Sequence, residues 1–183
     1  LRPLPHLTVT RIGNSLVART HLGRAERVVL AGHIDTVPLT MDPSNLPTVR
    51  VTEAGQEILR GRGTVDMKGG VAVMLRVAAT IHEPTRDLTL VFYEAEEIDS
   101  AFNGLGLIER QRPELITDAD FAVLLEPTDA AVEGGCKGTL RAEITTKGIA
   151  AHSARPWKGH NAIHDAGEIL RRLTDYEPAT RSV

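Results

Sequence analysis

Three short runs of apolar residues predict the central strands of a sheet. Residues 27–34, 87–93 and 120–125 are almost continuously hydrophobic and rich in β-branched side chains, a pattern typical of strands that are buried on both faces. Residues 71–82 instead space their apolar side chains along one helical face, and Pro84 follows them. Strands that alternate with helices predict an α/β fold with helices on the faces of the sheet.

The beginning of the chain adds an antiparallel component to this fold. Residues 7–20 have the pattern of a hairpin that turns at Gly13-Asn14. We therefore expect a mixed, mostly parallel sheet with helices on both faces. Three proline positions make residues 36–59 rich in loops, and apolar spacing predicts helices at 101–110 and 161–173.

A change in composition near Gly138 indicates a domain boundary. Residues 1–137 then form a first domain, and residues 138–183 are the beginning of a smaller α+β domain. Residues 139–146 alternate polar and apolar side chains, which predicts a strand at the start of this second domain.

Composition excludes several classes of function. The 183 residues carry a net charge of −3 and only 3% aromatic residues, so the chain has no strong basic field and few stacking platforms for nucleic acid. No apolar run approaches the ~20 residues that span a bilayer. The only cysteine, Cys136, excludes an internal disulfide and a zinc site with two thiolates. With no signal peptide after Leu1, we expect a cytoplasmic protein that acts on small molecules.

Candidate metal ligands follow each of the three predicted core strands. His33 and Asp35 end the first strand, Glu96 and Glu97 follow the second, and Glu126 follows the third. Ligands of open α/β sheets gather at the carboxyl ends of the strands. Each group alone is also typical of an ordinary loop, but their recurrence at three strand ends predicts a common site.

The glycine-rich residues 61–70 add Asp66 to these candidates. They lack the Gly-Lys-Ser/Thr order of a phosphate-binding loop. One imidazole with several carboxylates suits zinc, with cobalt or manganese as substitutes. Because the carboxylates outnumber those that one catalytic zinc uses, they favour two metal ions about 3.5–4 Å apart.

Five motifs in order resemble those of the di-zinc aminoacylase and deacetylase type of metallohydrolases. They lie at residues 30–38, 61–70, 94–97, 125–128 and 148–153. Within this family the chain is most similar to the succinyl-diaminopimelate desuccinylases of actinobacterial type. The resemblance implies a di-zinc exopeptidase-like catalytic domain followed by the start of a lid and dimerisation domain. It also implies removal of the succinyl group from N-succinyl-LL-2,6-diaminopimelate.

The resemblance further implies a role for each metal-binding residue. His33 and Glu126 would ligate the first zinc, Asp66 would bridge the two ions, and Glu97 would ligate the second. Asp35 would orient His33. The resemblance also implies a cis peptide bond between Asp66 and Met67.

Two further residues have implied roles in hydrolysis. Glu96 would be the general base, which takes a proton from the attacking water and passes it to the leaving amine. His152 would support the oxyanion from the lid domain, reaching across a homodimer. Arg155 and Lys158 could attract a substrate carboxylate, whereas His160 and His164 have the spacing of helix-surface residues.

Parts of the family pattern are not matched. The helices that precede the first strands and the C-terminal return segment, which carries the final histidine ligand, have no counterpart here. We therefore expect a truncated form whose second metal is weakly held. Acetylornithine deacetylase or another N-acyl-amino-acid hydrolase is an alternative function within the family. An alternative of another class is a non-catalytic module for metal binding or dimerisation.

Overall fold

A five-stranded sheet organises the first of two units into which the chain divides. The computed structural model describes residues 4–38, 47–135 and 140–178. The units comprise Leu1–Ala131 and Val132–Val183. The predicted boundary at Gly138 lies outside the described residues and stays a prediction.

The strands of the first unit form one large sheet and one separate hairpin. They are β1 (Thr8–Ile12), β2 (Ser15–Arg19), β3 (Arg27–His33), β4 (Val49–Glu53), β5 (Gln56–Arg60), β6 (Asp87–Tyr93) and β7 (Phe121–Leu124). The large sheet has the order β1-β2-β6-β3-β7. Its β3 pairs in parallel with β6 and β7, whereas β2 is antiparallel to β1 and β6. The predicted mixed sheet is confirmed, with two parallel and two antiparallel strand pairings.

Helices cover both faces of this sheet, as predicted. Helix α1 (Gly69–Thr80) packs Met74 against Leu90 and Phe92 of β6. Helix α2 (Gly104–Gln111) packs Ile108 on the opposite face, in the cluster that holds Val91 and Tyr93. Successive β6 side chains point to opposite faces, so a strand buried on both sides needs a continuous apolar run.

The segment predicted to be rich in loops contains a hairpin. Strands β4 and β5 pair in antiparallel register from Val49–Arg60 to Glu53–Gln56. The turn between them places Ala54 and Gly55 at positive φ, 48° and 79°. Such turns usually have Asn-Gly or Asp-Gly at these two positions, so Ala-Gly does not indicate a hairpin in the sequence. Both strands are largely exposed, so no apolar run marks them. Of this segment, residues 39–46 lie outside the described residues.

The second unit contains one of the two elements predicted for it. Helix α3 (Ala162–Thr174) begins after Asn161, whose side chain accepts a hydrogen bond from the Ile163 N–H at 2.9 Å. The predicted strand is wrong for residues 140–146, which pair with no strand in the described part of the chain. A strand forms only where another strand satisfies its backbone groups. An isolated bridge joins Ile149 to His160 instead.

None of the helices in the described ranges has both the length and the apolar character that crossing a membrane requires.

Candidate metal centre

The carboxyl ends of β3, β6 and β7 bring the predicted ligands of the first unit together. His33 is the last residue of β3, Glu96 and Glu97 follow β6, and Glu126 follows β7. Asp66 joins them from the irregular turn Thr64–Lys68, which precedes α1. The parallel pairing of β3 with both neighbours places these ends at one edge of the sheet.

His33 lies at the centre of the cluster and is fully buried. Its Nε2 is 2.9 Å from Asp66 Oδ1 and 3.9 Å from Glu126 Oε2. Its Nδ1 lies 3.2 Å from the Asp35 carbonyl oxygen and 3.4 Å from Asp35 Oδ1. The Tyr93 ring stands at 65° to the imidazole with 6.3 Å between ring centroids. The two ring nitrogens therefore face different partners, and Nε2 faces the carboxylates.

Asp35 links the exit of β3 to the exit of β6. Its Oδ1 accepts a hydrogen bond from the Glu96 N–H, and its Oδ2 accepts one from the Glu97 N–H, both at 3.2 Å. One carboxylate thus holds the backbone that carries two of the predicted site residues. It also lies against the imidazole side that does not face Asp66.

Among the described residues, two groups of three side chains can each surround one cation, with one ligand atom from every side chain. His33, Asp66 and Glu126 form the first group, and His33, Glu96 and Glu97 form the second. Within each group the ligand atoms lie within 4.8 Å of one another. Adjacent side chains of an extended strand point apart, but β6 ends at Tyr93 and Ala95 has a φ of 60°. This turn lets Glu96 and Glu97 approach the same histidine.

The electrostatics of the cluster fit a divalent cation. Partial burial, Asp66 and Glu96 raise the pKa of Glu97, and burial is also the first cause that raises the pKa of Glu126. Burial alone would lower the pKa of His33, but its hydrogen bond with Asp66 and nearby carboxylates raise it. Carboxylates crowded in this way resist ionisation unless a cation balances them. Imidazole nitrogen and carboxylate oxygen are also donors that zinc accepts.

A profile of peptidase family M20/M25/M40 matches residues 29–179. The chain belongs to this family. Its members are metal-dependent hydrolases, in agreement with the ligand groups at the sheet edge.

Two relatives named for succinyl-diaminopimelate desuccinylase are identical to this M20-family chain at about half of the aligned positions. A protein of Mycobacterium tuberculosis named for succinyl-diaminopimelate desuccinylase is 53% identical over 92% of this chain and 45% of its own length. The succinyl-diaminopimelate desuccinylase of Corynebacterium glutamicum is 47% identical over 96% and 46%. A protein of Paracoccidioides lutzii named "Probable carboxypeptidase" is 38% identical over 81% and 34%. The chain therefore spans about half the length of the two desuccinylase relatives.

The turn that carries Asp66 has the backbone that the family resemblance implies. The Asp66–Met67 peptide bond is cis, as predicted. Met67 is fully buried, and its sulfur accepts a hydrogen bond from the His33 N–H at 3.1 Å. A methyl group at Gly32 would lie 2.7 Å from the Met67 methyl carbon. The absence of a side chain at Gly32 thus leaves room for the sulfur to approach β3.

Lys68 contacts the site of this M20-family chain from the end of the glycine-rich segment, a role that the pattern of candidate ligands does not predict. Its Nζ donates to the carbonyl oxygens of Ile34 at 2.5 Å and Asp35 at 3.2 Å. The position of Lys68 is a sequence signal for this contact. The lysine directly precedes α1, and a cation is unfavourable at the N-terminus of a helix. A lysine at such a position indicates another partner, here the backbone after β3.

His152 belongs to the second unit, and its role stays a prediction. It is exposed, and its Nδ1 accepts a hydrogen bond from the Ala154 N–H at 3.1 Å. His160 lies 2.7 Å from Asp165, which satisfies it locally. Cys136 lies outside the described residues.

Proposed function

We propose that this chain is part of a zinc-dependent amide hydrolase that removes the succinyl group from N-succinyl-LL-2,6-diaminopimelate. The observation that carries the proposal is the pair of three-residue ligand groups sharing His33 at the sheet edge. The names of the Mycobacterium and Corynebacterium relatives support the choice of substrate.

The proposed metal ligands are those of the described first unit. His33 and Glu126 would hold one zinc ion, Asp66 would be shared, and Glu97 would hold the second. The distances from His33 Nε2 to Asp66 and Glu126 support the first assignment. When bound, zinc would lower the pKa of a water molecule and polarise the amide carbonyl.

Glu96 is the proposed general base. Its carboxylate would take a proton from the attacking water and deliver it to the leaving amine. Two observations support this role. Glu96 is more exposed than Glu97, and it belongs to a ligand group with His33. The hydrogen bond from its backbone N–H to Asp35 would hold it in position.

The remaining roles depend on the longer protein. We propose that His152 supports the oxyanion across a homodimer and that the enzyme works in the cytoplasm, where its biosynthetic substrate would be made. Exposure of His152 leaves its ring accessible to a substrate or a partner subunit.

A second candidate is another N-acyl-amino-acid hydrolase or carboxypeptidase of the same family. The identity to the protein named "Probable carboxypeptidase" favours it. The predicted metal ligands do not separate these substrates, since all of them present an amide carbonyl to the same metal centre.

The test is a panel of substrates given to a chain extended to the length of its relatives. N-succinyl-LL-2,6-diaminopimelate should be hydrolysed with the highest kcat/KM, ahead of N-acetylornithine, other N-acetyl amino acids and dipeptides. Preference for an N-acetyl amino acid would support the second candidate. A chain that binds zinc but hydrolyses none of them, with or without Glu96, would be a binding module.

A further inference from the structure

The ammonium group of Lys68 is directed at the main chain that follows β3. Although the residue is exposed, its Nζ contacts the carbonyl oxygens of both Ile34 and Asp35. Its own N–H donates to the Gly63 carbonyl at 2.9 Å, which fixes the backbone from which the side chain extends. Lys68 therefore connects the turn that carries Asp66 to the segment that carries Asp35.

The Asp35 carbonyl oxygen has two donors that can share it. Lys68 Nζ and His33 Nδ1 each lie 3.2 Å from this atom. A carbonyl oxygen has two lone pairs, so it can accept both hydrogen bonds at once. When His33 Nε2 ligates a metal, the ring proton sits on Nδ1 and requires an acceptor of this kind.

The neighbouring residue secures the same strand end from inside the protein. The Met67 sulfur accepts the His33 N–H, and Lys68 holds the two carbonyls that follow. Three successive residues of one turn thus touch the exit of β3, because Asp66 itself contacts His33 Nε2. Of the three, Met67 is buried and Asp66 is a proposed metal ligand, whereas the exposed Lys68 side chain can be changed without altering the core or the ligand set.

We propose that Lys68 is a positioning residue of the metal centre, acting through the Asp35 carbonyl to keep His33 directed at Asp66 and Glu126. This inference rests on the proposed metal-binding function. The lysine ammonium group donates a charge-assisted hydrogen bond to each of the two carbonyl groups. Without it, these carbonyl groups would be hydrated and the backbone after β3 would be held less firmly. Loss of Lys68 would free the β3 exit and let the imidazole rotate away from the carboxylates.

The test measures Co²⁺ binding to the metal-free chain of 183 residues, by the visible absorption of the bound ion. Lys68→Met should weaken Co²⁺ binding about 10- to 100-fold, the usual cost of losing a residue that supports a metal ligand. The absorption band should also shift, because the ligand geometry changes. Lys68→Arg retains donors and charge, so its affinity should return to within about threefold of the original chain.

Two controls separate positioning from folding. Arg76→Met removes an exposed charge from α1, the helix that directly follows Lys68, and should leave Co²⁺ binding and its spectrum unchanged. Urea unfolding of the metal-free chain should give the same midpoint for Lys68→Met as for Arg76→Met.

Several results would overturn the inference. A loss of affinity in Lys68→Met that comes with a lower urea midpoint than that of Arg76→Met would show that Lys68 acts on stability and not on the position of His33. Unchanged affinity and spectrum in Lys68→Met would reject the positioning role while leaving the proposed metal centre intact. Failure of the original chain to bind Co²⁺ would reject the metal centre itself, and this inference with it.

Discussion

At the amino-terminal ends of β3, β6 and β7 carboxylates lie beside arginines, whereas at the opposite ends they lie beside one histidine and one another. The buried Arg27 guanidinium donates to the carbonyl oxygens of Thr20 and Leu88, both at 3.0 Å, and lies 3.3 Å from Asp118. Asp118 also pairs with Arg19. The amino-terminal edge therefore balances its own charges.

Asp87 shows the consequence of that balance. It accepts hydrogen bonds from Thr20 Oγ1 at 2.6 Å and from the N–H groups of Leu22 and Arg24 at 2.9 Å. Burial alone would raise its pKa, but these hydrogen bonds and the charge of Arg27 lower it from 3.8 to about 2. At the other edge the pKa values of Glu97 and Glu126 are raised. One edge stabilises its anions, and the other is left with an excess that suits a bound cation.

The largest expected difference between the edges is in catalysis. Glu96→Gln in a chain of the relatives' length should lower kcat about 10²- to 10⁴-fold, because a general base is lost. Zinc content by elemental analysis should be retained. Glu109→Gln, an exposed change on α2, should leave kcat unchanged. A Glu96→Gln enzyme with unchanged kcat would show that Glu96 is not the general base.

Stability should depend most on the amino-terminal edge. Asp87→Ala removes the buried carboxylate that faces Arg27 and leaves three hydrogen-bond donors without their acceptor, so the free energy of unfolding should fall by about 3–5 kcal/mol. Urea unfolding of the metal-free chain measures this. A loss below about 1 kcal/mol would mean that this edge does not have the structural role inferred here.

The two edges should respond to pH with opposite signs. A lowered folded-state pKa means that Asp87 contributes stability above its ordinary pKa of 3.8, which is lost as the pH falls toward about 2. The raised pKa values of Glu97 and Glu126 give stability at low pH that is lost as the pH rises through and above their ordinary 4.5. Zinc should reverse only the second dependence, because a bound cation favours the deprotonated carboxylates. Urea unfolding at a series of pH values, with chelator and with zinc, distinguishes the two. The comparison would be contradicted if the free energy of unfolding changed with pH in the same way under both conditions.

The smallest expected effect is a gain in stability at the carboxyl-terminal edge. Glu97→Gln removes one of the crowded charges, so the metal-free chain should become more stable by about 0.5 kcal/mol. The same change should weaken zinc binding. Glu57→Gln, on the exposed strand β5, serves as the matched control. A destabilised Glu97→Gln chain would show that these carboxylates do not repel one another.

The core strands and their polar ends could be predicted because each signal is local. A strand buried on both faces needs a run such as residues 87–93, and the residues that follow it reach the ligand edge. The order of the strands could not be predicted in this way, since β6 lies between β2 and β3 through pairings distant in sequence. The exposed hairpin β4–β5 lacks an apolar run and was missed.

Within the site, residue types were predictable and contacts were not. A histidine and carboxylates after strands indicate a metal, but the contact of Met67 with the His33 N–H depends on the space left at Gly32. The hydrogen bonds of Lys68 to the β3 exit likewise arise from the fold of the turn before α1. Such contacts join segments that no sequence pattern relates.

Zinc titration of the metal-free chain by calorimetry tests the central claim, that the carboxyl-terminal edge of the sheet is a metal site. The original chain should bind zinc, and His33→Ala should abolish that binding because both ligand groups share this histidine. Asp87→Ala, at the opposite edge, should bind zinc as the original chain does wherever it remains folded. Equal zinc binding by the original chain and His33→Ala would contradict the account.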